Sequence, residues 1–201
     1  MATGGELRAR RGTRPNLLRR YLQRVPIFRL RGLLLAALLT AGLSVAGPAA
    51  GAVHTAPPSR LLWATIDICH PASHPRTIGI RGSMPGTGRS DEVMLMRFRV
   101  QYLDRATHTW RYVSQGADSG YVSVGSATYR GRQSGYSFPF ASPPRGGTYT
   151  VRGVVAFQWR RHGRVVRHAV EHSSAGHHVT TGADPPGYSA ATCTVGPVSA
   201  G

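Results

Sequence analysis

The sequence contains no lysine, since all 25 basic residues among its 201 are arginines. A chain without lysine cannot build a P-loop with its phosphate-binding lysine, and it cannot use Schiff-base or lysine general-base chemistry. Acidic residues are also scarce, eight in total, so the formal charge is +17. Arginine without lysine, beside 25 glycines and 14 prolines, is typical of codon usage in a GC-rich bacterium. A charge this high suggests an anionic partner only if it lies in the folded domain.

Much of the charge lies in the N-terminal segment instead. Nine arginines fall within the first 31 residues, and an uncharged, leucine-rich run follows over 32–53. This run ends in small residues that include Ala50 and Ala52, and a basic segment, an apolar core and an A-x-A site are typical of a secretory signal peptide. The sequence therefore predicts a signal peptide over 1–52, cleaved after Ala52. An uncleaved signal-anchor is the alternative, because the run is just long enough to span a bilayer.

The remaining part of the chain carries a more modest charge. Beyond residue 52, sixteen arginines and seven acids remain, which gives +9. Residues 53–60 form a polar, proline-containing leader, and 61–201 is long enough for one domain with its own hydrophobic core. The predicted location is secreted or cell-surface, with membrane attachment only through an uncleaved signal-anchor. Intracellular nucleic acid is not among the partners that this sequence predicts.

The predicted domain alternates apolar and polar residues between turn-forming Gly, Pro and Ser, a pattern typical of β-strands. In Val93–Leu103 the apolar side chains share one face and the arginines share the other. The segment Thr148–Arg160 has the same alternation. Shorter strands are predicted at Leu61–Cys69, Thr77–Arg81, Thr109–Val113, Tyr121–Val124, Tyr136–Phe140, Val165–His172 and Ser189–Val195.

Eight or nine short strands, with no helical pattern after the signal helix, predict an all-β fold, a single antiparallel β-sandwich, with a barrel as the alternative. The run Gly146-Gly147-Thr148-Tyr149-Thr150-Val151 resembles the start of strand F in immunoglobulin-like and fibronectin type III domains. The resemblance implies an immunoglobulin-like sandwich in which the Tyr149 hydroxyl closes a backbone corner. The chain departs from the antibody pattern, because Val151 stands where the second core cysteine would be. Such a resemblance concerns the fold and names no ligand.

The two cysteines, Cys69 and Cys193, are predicted to form a disulfide, because paired cysteines are common in exported domains. The bond would join the first predicted strand to the last. Strand alternation, however, places Ile66 and Ile68 on the face opposite Cys69. Either a bulge therefore precedes Cys69, or the disulfide lies on the surface of the sheet.

The run from His168 to His172 reads H-x-x-E-H, the inverted zinc-protease motif. That chemistry needs a helix, which brings two histidines at i and i+4 together, whereas this run alternates as a strand. On a strand, His168 and His172 share a face but stand roughly 13 Å apart, too far to bind one ion alone. A metal site would need further ligands from the His-rich segment 162–178 or from Asp67. A metal-binding protein or metal-dependent enzyme built on that segment is the alternative function.

The arginines of the predicted domain point to a different chemistry. Arg97 and Arg99 would line one sheet face, and Arg152, Arg160 and Arg164 would lie around the hairpin that follows Thr148. Guanidinium groups bind carboxylates and phosphates, and aromatic rings stack on sugars and cations. The aromatic residues near these arginines are Trp110, Tyr112, Tyr129, Tyr136 and Trp159.

No pattern in the sequence supports a catalytic site. There is no G-x-S-x-G nucleophile elbow, and the acids are scattered along the chain. The sequence therefore predicts an exported, non-catalytic binding or structural module at the cell envelope or outside the cell, without a cofactor. The expected partners are an anionic cell-wall polymer, a polysaccharide or another envelope protein.

Overall fold

A computed structural model of the chain describes residues 53–141, 143, 147–178 and 180–196. The predicted signal peptide, 1–52, lies outside these residues. Within them the chain forms ten strands and no helix, which confirms the all-β prediction. The strands are β1 (His54–Thr55), β2 (Trp63–Cys69), β3 (Thr77–Pro85), β4 (Glu92–Asp104), β5 (Thr109–Tyr112), β6 (Asp118–Ser126), β7 (Gly131–Pro139), β8 (Tyr149–Arg161), β9 (Arg164–His172) and β10 (Cys193–Val195).

The strands form two sheets that enclose the core. The larger sheet has seven strands in the order β1-β9-β8-β4-β5, with β10 beside β8 and β6 beside β4. The smaller sheet has the order β2-β3-β7. Only the short β1–β9 pair is parallel among the strand pairs of the described residues, and it brings the predicted leader into the larger sheet.

Strand alternation builds the core between the sheets. Met96 pairs with Phe157 and Phe98 pairs with Val155 across β4 and β8, and all four side chains are fully buried. The smaller sheet contributes further buried residues, Ile66, Ile80 and Met84. Each such side chain stabilises the fold by about 1.5–3 kcal/mol through removal of apolar surface from water. The β4 and β8 predictions are therefore confirmed with their inward faces.

Three strands are clearly longer than the sequence pattern predicts. Strand β6 spans Asp118–Ser126 where Tyr121–Val124 was predicted, and β3 and β7 are extended together. Strand β3 continues beyond Arg81 to Pro85, and β7 begins at Gly131 within a polar Gly, Ser and Arg stretch. The two strands pair residue by residue, from Thr77 opposite Pro139 to Pro85 opposite Gly131. Because the ladder supplies backbone hydrogen bonds along its whole length, pairing extends both strands through residues without an apolar alternation.

The predicted disulfide between Cys69 and Cys193 is present, with the two Cα atoms 5.7 Å apart. It connects the end of β2 in the smaller sheet to the start of β10 in the larger one. A register shift between Ile66 and Ile68 gives β2 a bulge before Cys69. The extra residue reverses the alternation, so Ile66 and Cys69 both pack on the core side. Of the two alternatives, the bulge is the correct one.

The smaller sheet is covered on the β2 side by the segment that follows β9, here called the covering segment (173–178 and 180–190). Ala190 exchanges two backbone hydrogen bonds with Ile66, each 3.0 Å long. The ring of His177 stacks on Trp63 with ring centroids 4.4 Å apart. The predicted last strand, Ser189–Val195, is therefore divided, with Ala190 beside β2 and Cys193–Val195 as β10.

Candidate anion-binding surface

Four of the five predicted anion-binding arginines lie on one face of the larger sheet. The residues on β4 that alternate with Met96 and Phe98 are Arg97 and Arg99, so they point away from the core. Arg97 pairs with Ala156 and Arg99 with Val154 on β8, which places the outward side chains of both strands side by side. The same register brings Arg152 opposite Gln101 and Arg160 opposite Val93. We call Arg97, Arg99, Arg152 and Arg160 the outer Arg face.

Arg164 lies apart from this group. It is exposed at the start of β9 and pairs with Arg161 across the β8–β9 hairpin. Paired residues share a face, and Arg161 points to the buried Glu92, to which its Nη2 donates a hydrogen bond of 2.5 Å. Arg164 therefore follows the opposite alternation from the outer Arg face.

Aromatic rings support the guanidinium groups of the outer Arg face. The Cζ atom of Arg99 lies 4.1 Å from the centre of the Tyr112 ring, and that of Arg152 lies 4.3 Å from the Trp110 ring. Cation–π contacts at these distances hold the guanidinium against the ring face, and the Nε of Arg99 is itself buried. Of the aromatics predicted near the arginines, Trp110 and Tyr112 belong to this surface.

A third ring, Tyr121 on β6, lies between two arginines and was not predicted from the sequence. The Cζ atoms of Arg97 and Arg160 are 5.8 Å and 5.5 Å from its centre. The signal that could have identified it is the pairing of Tyr121 with Arg97, but register shifts interrupt the β4–β6 ladder. Trp159, in contrast, is fully buried, and its Nε1 donates a hydrogen bond to the Pro85 carbonyl at 3.0 Å.

Three arginines of this face form no ion pair within the described residues. Arg97 forms an ion pair with Asp118, which lowers the pKa of that carboxyl below its ordinary value. Arg99 makes no ion pair among the described residues, although Asp118 is its partner across the β4–β6 ladder and the Arg99 charge also lowers the pKa of that carboxyl. Arg152 and Arg160 donate to amide oxygens, those of Gln101 and Gln158, at 2.8 Å. Asp118 is thus the acid that faces Arg97 and Arg99, and Arg99, Arg152 and Arg160 bring further positive charge to the outer Arg face.

Several arginines elsewhere in the domain are neutralised by acids. The described ion pairs join Arg81 to Asp67, Arg89 to Asp91, Arg111 to Asp104 and Arg161 to Glu92. Several of the few acidic residues therefore form ion pairs away from the outer Arg face. Local pairing, and not the overall charge, distinguishes this surface.

Burial and neighbouring charge also affect the groups at the β9 edge of this surface. Desolvation lowers the pKa of Arg152, but a guanidinium starts so high that it remains charged at neutral pH. Partial desolvation, and then the positive charge of Arg152, lower the pKa of His172. His172 is consequently neutral at neutral pH and adds no charge to the surface.

The two candidate metal ligands, His168 and His172, lie on strand β9 opposite Gln158 and Val154. Both are exposed, and the H-x-x-E-H run is a strand, so the helical arrangement of a zinc protease does not form. Among the described residues, a group of three potential ligands occurs at Cys69, His70 and Cys193. Both sulfur atoms of that group are already joined in the disulfide.

No protein-family model and no curated protein sequence matches this chain. The described residues include no helix of the length and apolarity that crossing a membrane requires. The residues and contacts of the outer Arg face are therefore the basis for assigning a function.

Proposed function

We propose that this protein is an exported, non-catalytic binding module whose outer Arg face binds an anionic polymer. The disulfide between Cys69 and Cys193 supports an oxidising location, since such bonds persist outside the cytosol. The basic and apolar N-terminal sequence with Ala50 and Ala52 supports export through a signal peptide. Both features favour action at the cell envelope or beyond it.

The proposed fold family is immunoglobulin-like, and the strand order supports it. In immunoglobulin domains strand B lies between A and E, and strand F lies between C and G. Here β3 lies between β2 and β7, and β8 lies between β4 and β9, in the same order along the chain. The motif tyrosine, Tyr149, stands at the start of β8, where strand F begins. The Tyr149 ring is 42% exposed and lies edge-on to Tyr102.

The observation that carries the binding proposal is the set of three arginines that form no ion pair in the part of the chain that the structure describes, Arg99, Arg152 and Arg160. Their guanidinium groups present planar donors suited to phosphates and carboxylates. Adjacent strands lie about 4.8 Å apart and residues about 3.4 Å apart, so the face offers repeated positive charges on a flat surface. A chain of regularly spaced anions matches this arrangement better than a single small anion does.

Aromatic rings narrow the class of polymer. Trp110, Tyr112 and Tyr121 lie against the arginines, and aromatic faces stack on sugar rings. Sugars bearing phosphate or carboxylate groups would use both elements of the surface. We therefore propose an acidic polysaccharide or an anionic cell-wall polymer as the ligand.

Retention on immobilised heparin and teichoic acid tests this proposal. The full-length chain, exported to the periplasm of a bacterial host and purified, is applied at low salt and eluted with a gradient. We expect the triple variant R99Q/R152Q/R160Q to elute at clearly lower salt than the wild type, because each lost guanidinium removes a screened ionic contact. The wild type should itself be retained less when the salt concentration of the loading buffer is raised.

A charge-matched variant provides the control. R60Q/R76Q/R130Q removes the same number of charges from exposed positions away from the outer Arg face. This variant should elute close to the wild type. Equal elution of the two triple variants would show that net charge alone causes retention, and wild-type retention unaffected by salt would rule out the electrostatic mechanism.

A further inference from the structure

A cleft of about 580 Å³ opens between the two sheets at one end of the sandwich. Its inner wall consists of core residues from both sheets, Ile78, Val100, Phe138 and Val151. Phe140, after β7, and Val195, in β10, extend the apolar wall. The volume lies within the range of roughly 300–1,000 Å³ that is typical of small-molecule sites in proteins.

The segment between β5 and β6 forms one side of the cleft. Val113 donates a backbone hydrogen bond of 3.1 Å to the Val100 carbonyl, and Val100 donates one of 3.1 Å to Ala117. These bonds attach both ends of 113–117 to β4, while Ser114 and Gln115 contribute polar groups to the lining. The side of the cleft is therefore formed by backbone that is hydrogen-bonded to the central strand.

The chemistry of the lining selects against a charged ligand. No aspartate, glutamate, arginine or histidine occurs among the described residues that line the cleft. A charged group placed there would lose water without gaining a partner of opposite charge, which is costly. The lining includes five residues with neutral polar side chains, Tyr102, Tyr112, Ser114, Gln115 and Tyr149. The Tyr102 and Tyr149 rings meet edge-on, with centroids 6.5 Å apart.

We propose that this cleft binds a neutral, mainly apolar small molecule whose exposed end carries a hydrogen-bonding oxygen or nitrogen. The apolar part would lie against Val100, Phe138 and Val151, and the polar end would meet the tyrosine hydroxyls. The site is distinct from the outer Arg face, which is charged and lies on the other side of the larger sheet. Tyr112 touches both sites, because it lines the cleft and stacks with Arg99.

Titration of the full-length exported chain with the neutral fluorescent probe N-phenyl-1-naphthylamine tests the site. We expect saturable binding of one probe molecule per chain. The variants Val113→Trp and Ala141→Trp, which place a large ring at the edge of the cleft, should weaken binding by about tenfold or more, equivalent to about 1.4 kcal/mol. The control Val170→Trp, on an exposed position of β9 outside the cleft, should bind as the wild type does.

Several outcomes would overturn the site. These are non-saturable probe binding, unchanged affinity in a folded Val113→Trp or Ala141→Trp variant, or equal weakening by Val170→Trp. Circular dichroism establishes which variants are folded, and Ala141 is exposed, so its variant remains informative if Val113→Trp does not fold.

Competition between decanol and decanoate tests the class of ligand, since the two share an alkyl chain length and differ in charge. Decanol should displace the probe at about tenfold lower concentration than decanoate. Displacement by decanoate at equal or lower concentration would refute a neutral ligand. Arg160 lies against Tyr121 and not against a residue of the cleft lining. The R160Q variant should therefore bind the probe normally while its retention on heparin weakens, so failure of the polymer proposal and failure of the cleft proposal are separate results.

Discussion

Arg81 and Arg99 show how surroundings separate a structural arginine from a candidate binding one. The Nε of Arg81 donates a hydrogen bond of 2.6 Å to Asp67, whose side chain is almost fully buried. Arg99 stacks on Tyr112 and forms no ion pair within the described residues. Arg81 therefore neutralises a buried carboxylate of the fold, while the charge of Arg99 is a candidate for binding a ligand.

Removing Arg81 should destabilise the fold strongly. Asp67 would remain as a buried carboxylate without its cation, which costs about 3–5 kcal/mol. Burial already raises the pKa of Asp67, and the Arg81 hydrogen bond opposes this shift, so the R81Q variant should have a still higher Asp67 pKa. Because the folded state then holds the proton more tightly than the unfolded state, stability should fall as pH rises through the raised pKa. Urea unfolding of R81Q from weakly acidic to neutral pH measures both effects.

The double variant D67N/R81Q provides the control for this prediction. It lacks the titrating carboxylate, so it should be more stable than R81Q at neutral pH and lose the extra pH dependence. An R81Q variant whose stability equals that of the wild type at every pH would show that Asp67 does not need its cation.

At the level of strands, regular alternation made β4 and β8 predictable. Both strands have one face in the core and one outside, so apolar and polar side chains alternate along the sequence of each strand. The same alternation predicted that Arg97 and Arg99 share a face. The extension of β7 through Gly131–Gly135 could not be predicted, because pairing with β3 holds those residues and their side chains carry no pattern. Tyr121 was missed for a related reason, since bulges interrupt its ladder with β4.

The two sheets approach each other so closely at Gly153 of β8 that the position has little room for a side chain. A Cβ atom there would lie 2.8 Å from Cγ2 of Ile80 in the opposite sheet. We expect Gly153→Ala to lower the free energy of unfolding by about 1–3 kcal/mol through overpacking. Urea unfolding should show a lower midpoint with an unchanged slope.

Gly196→Ala is the matched control for this substitution, since the added Cβ would meet Thr148 at an ordinary 3.5 Å. It should unfold near the wild-type midpoint. In addition, Ile80→Ala should cost less in the Gly153→Ala background than in the wild type, because it removes the clash. Equal stability of the two alanine variants would mean that the sheets have room at Gly153.

For the whole domain, the two sheets have different outer surroundings and are joined by the Cys69–Cys193 disulfide as well as by the chain itself. The covering segment lies along β2, with Gly182 next to the Arg81 guanidinium, whereas the larger sheet displays the outer Arg face. The cysteine pairing was predictable from the number of cysteines and the predicted signal peptide. The covering segment was not, because its contacts with β2 are isolated bridges between residues distant in sequence, such as Ile66 and Ala190.

The disulfide should supply a large part of the stability of the domain. Its cysteines are separated by 124 residues in sequence, so the bond restricts nearly the whole unfolded domain. The chain-entropy relation gives about 5 kcal/mol for a loop of this length. We therefore expect the C69A/C193A variant to unfold at much lower urea concentration than the wild type. Reductant should destabilise the wild type by a similar amount and leave the stability of C69A/C193A unaffected. If the fully reduced wild type kept its unfolding midpoint, core packing alone would hold the sheets together.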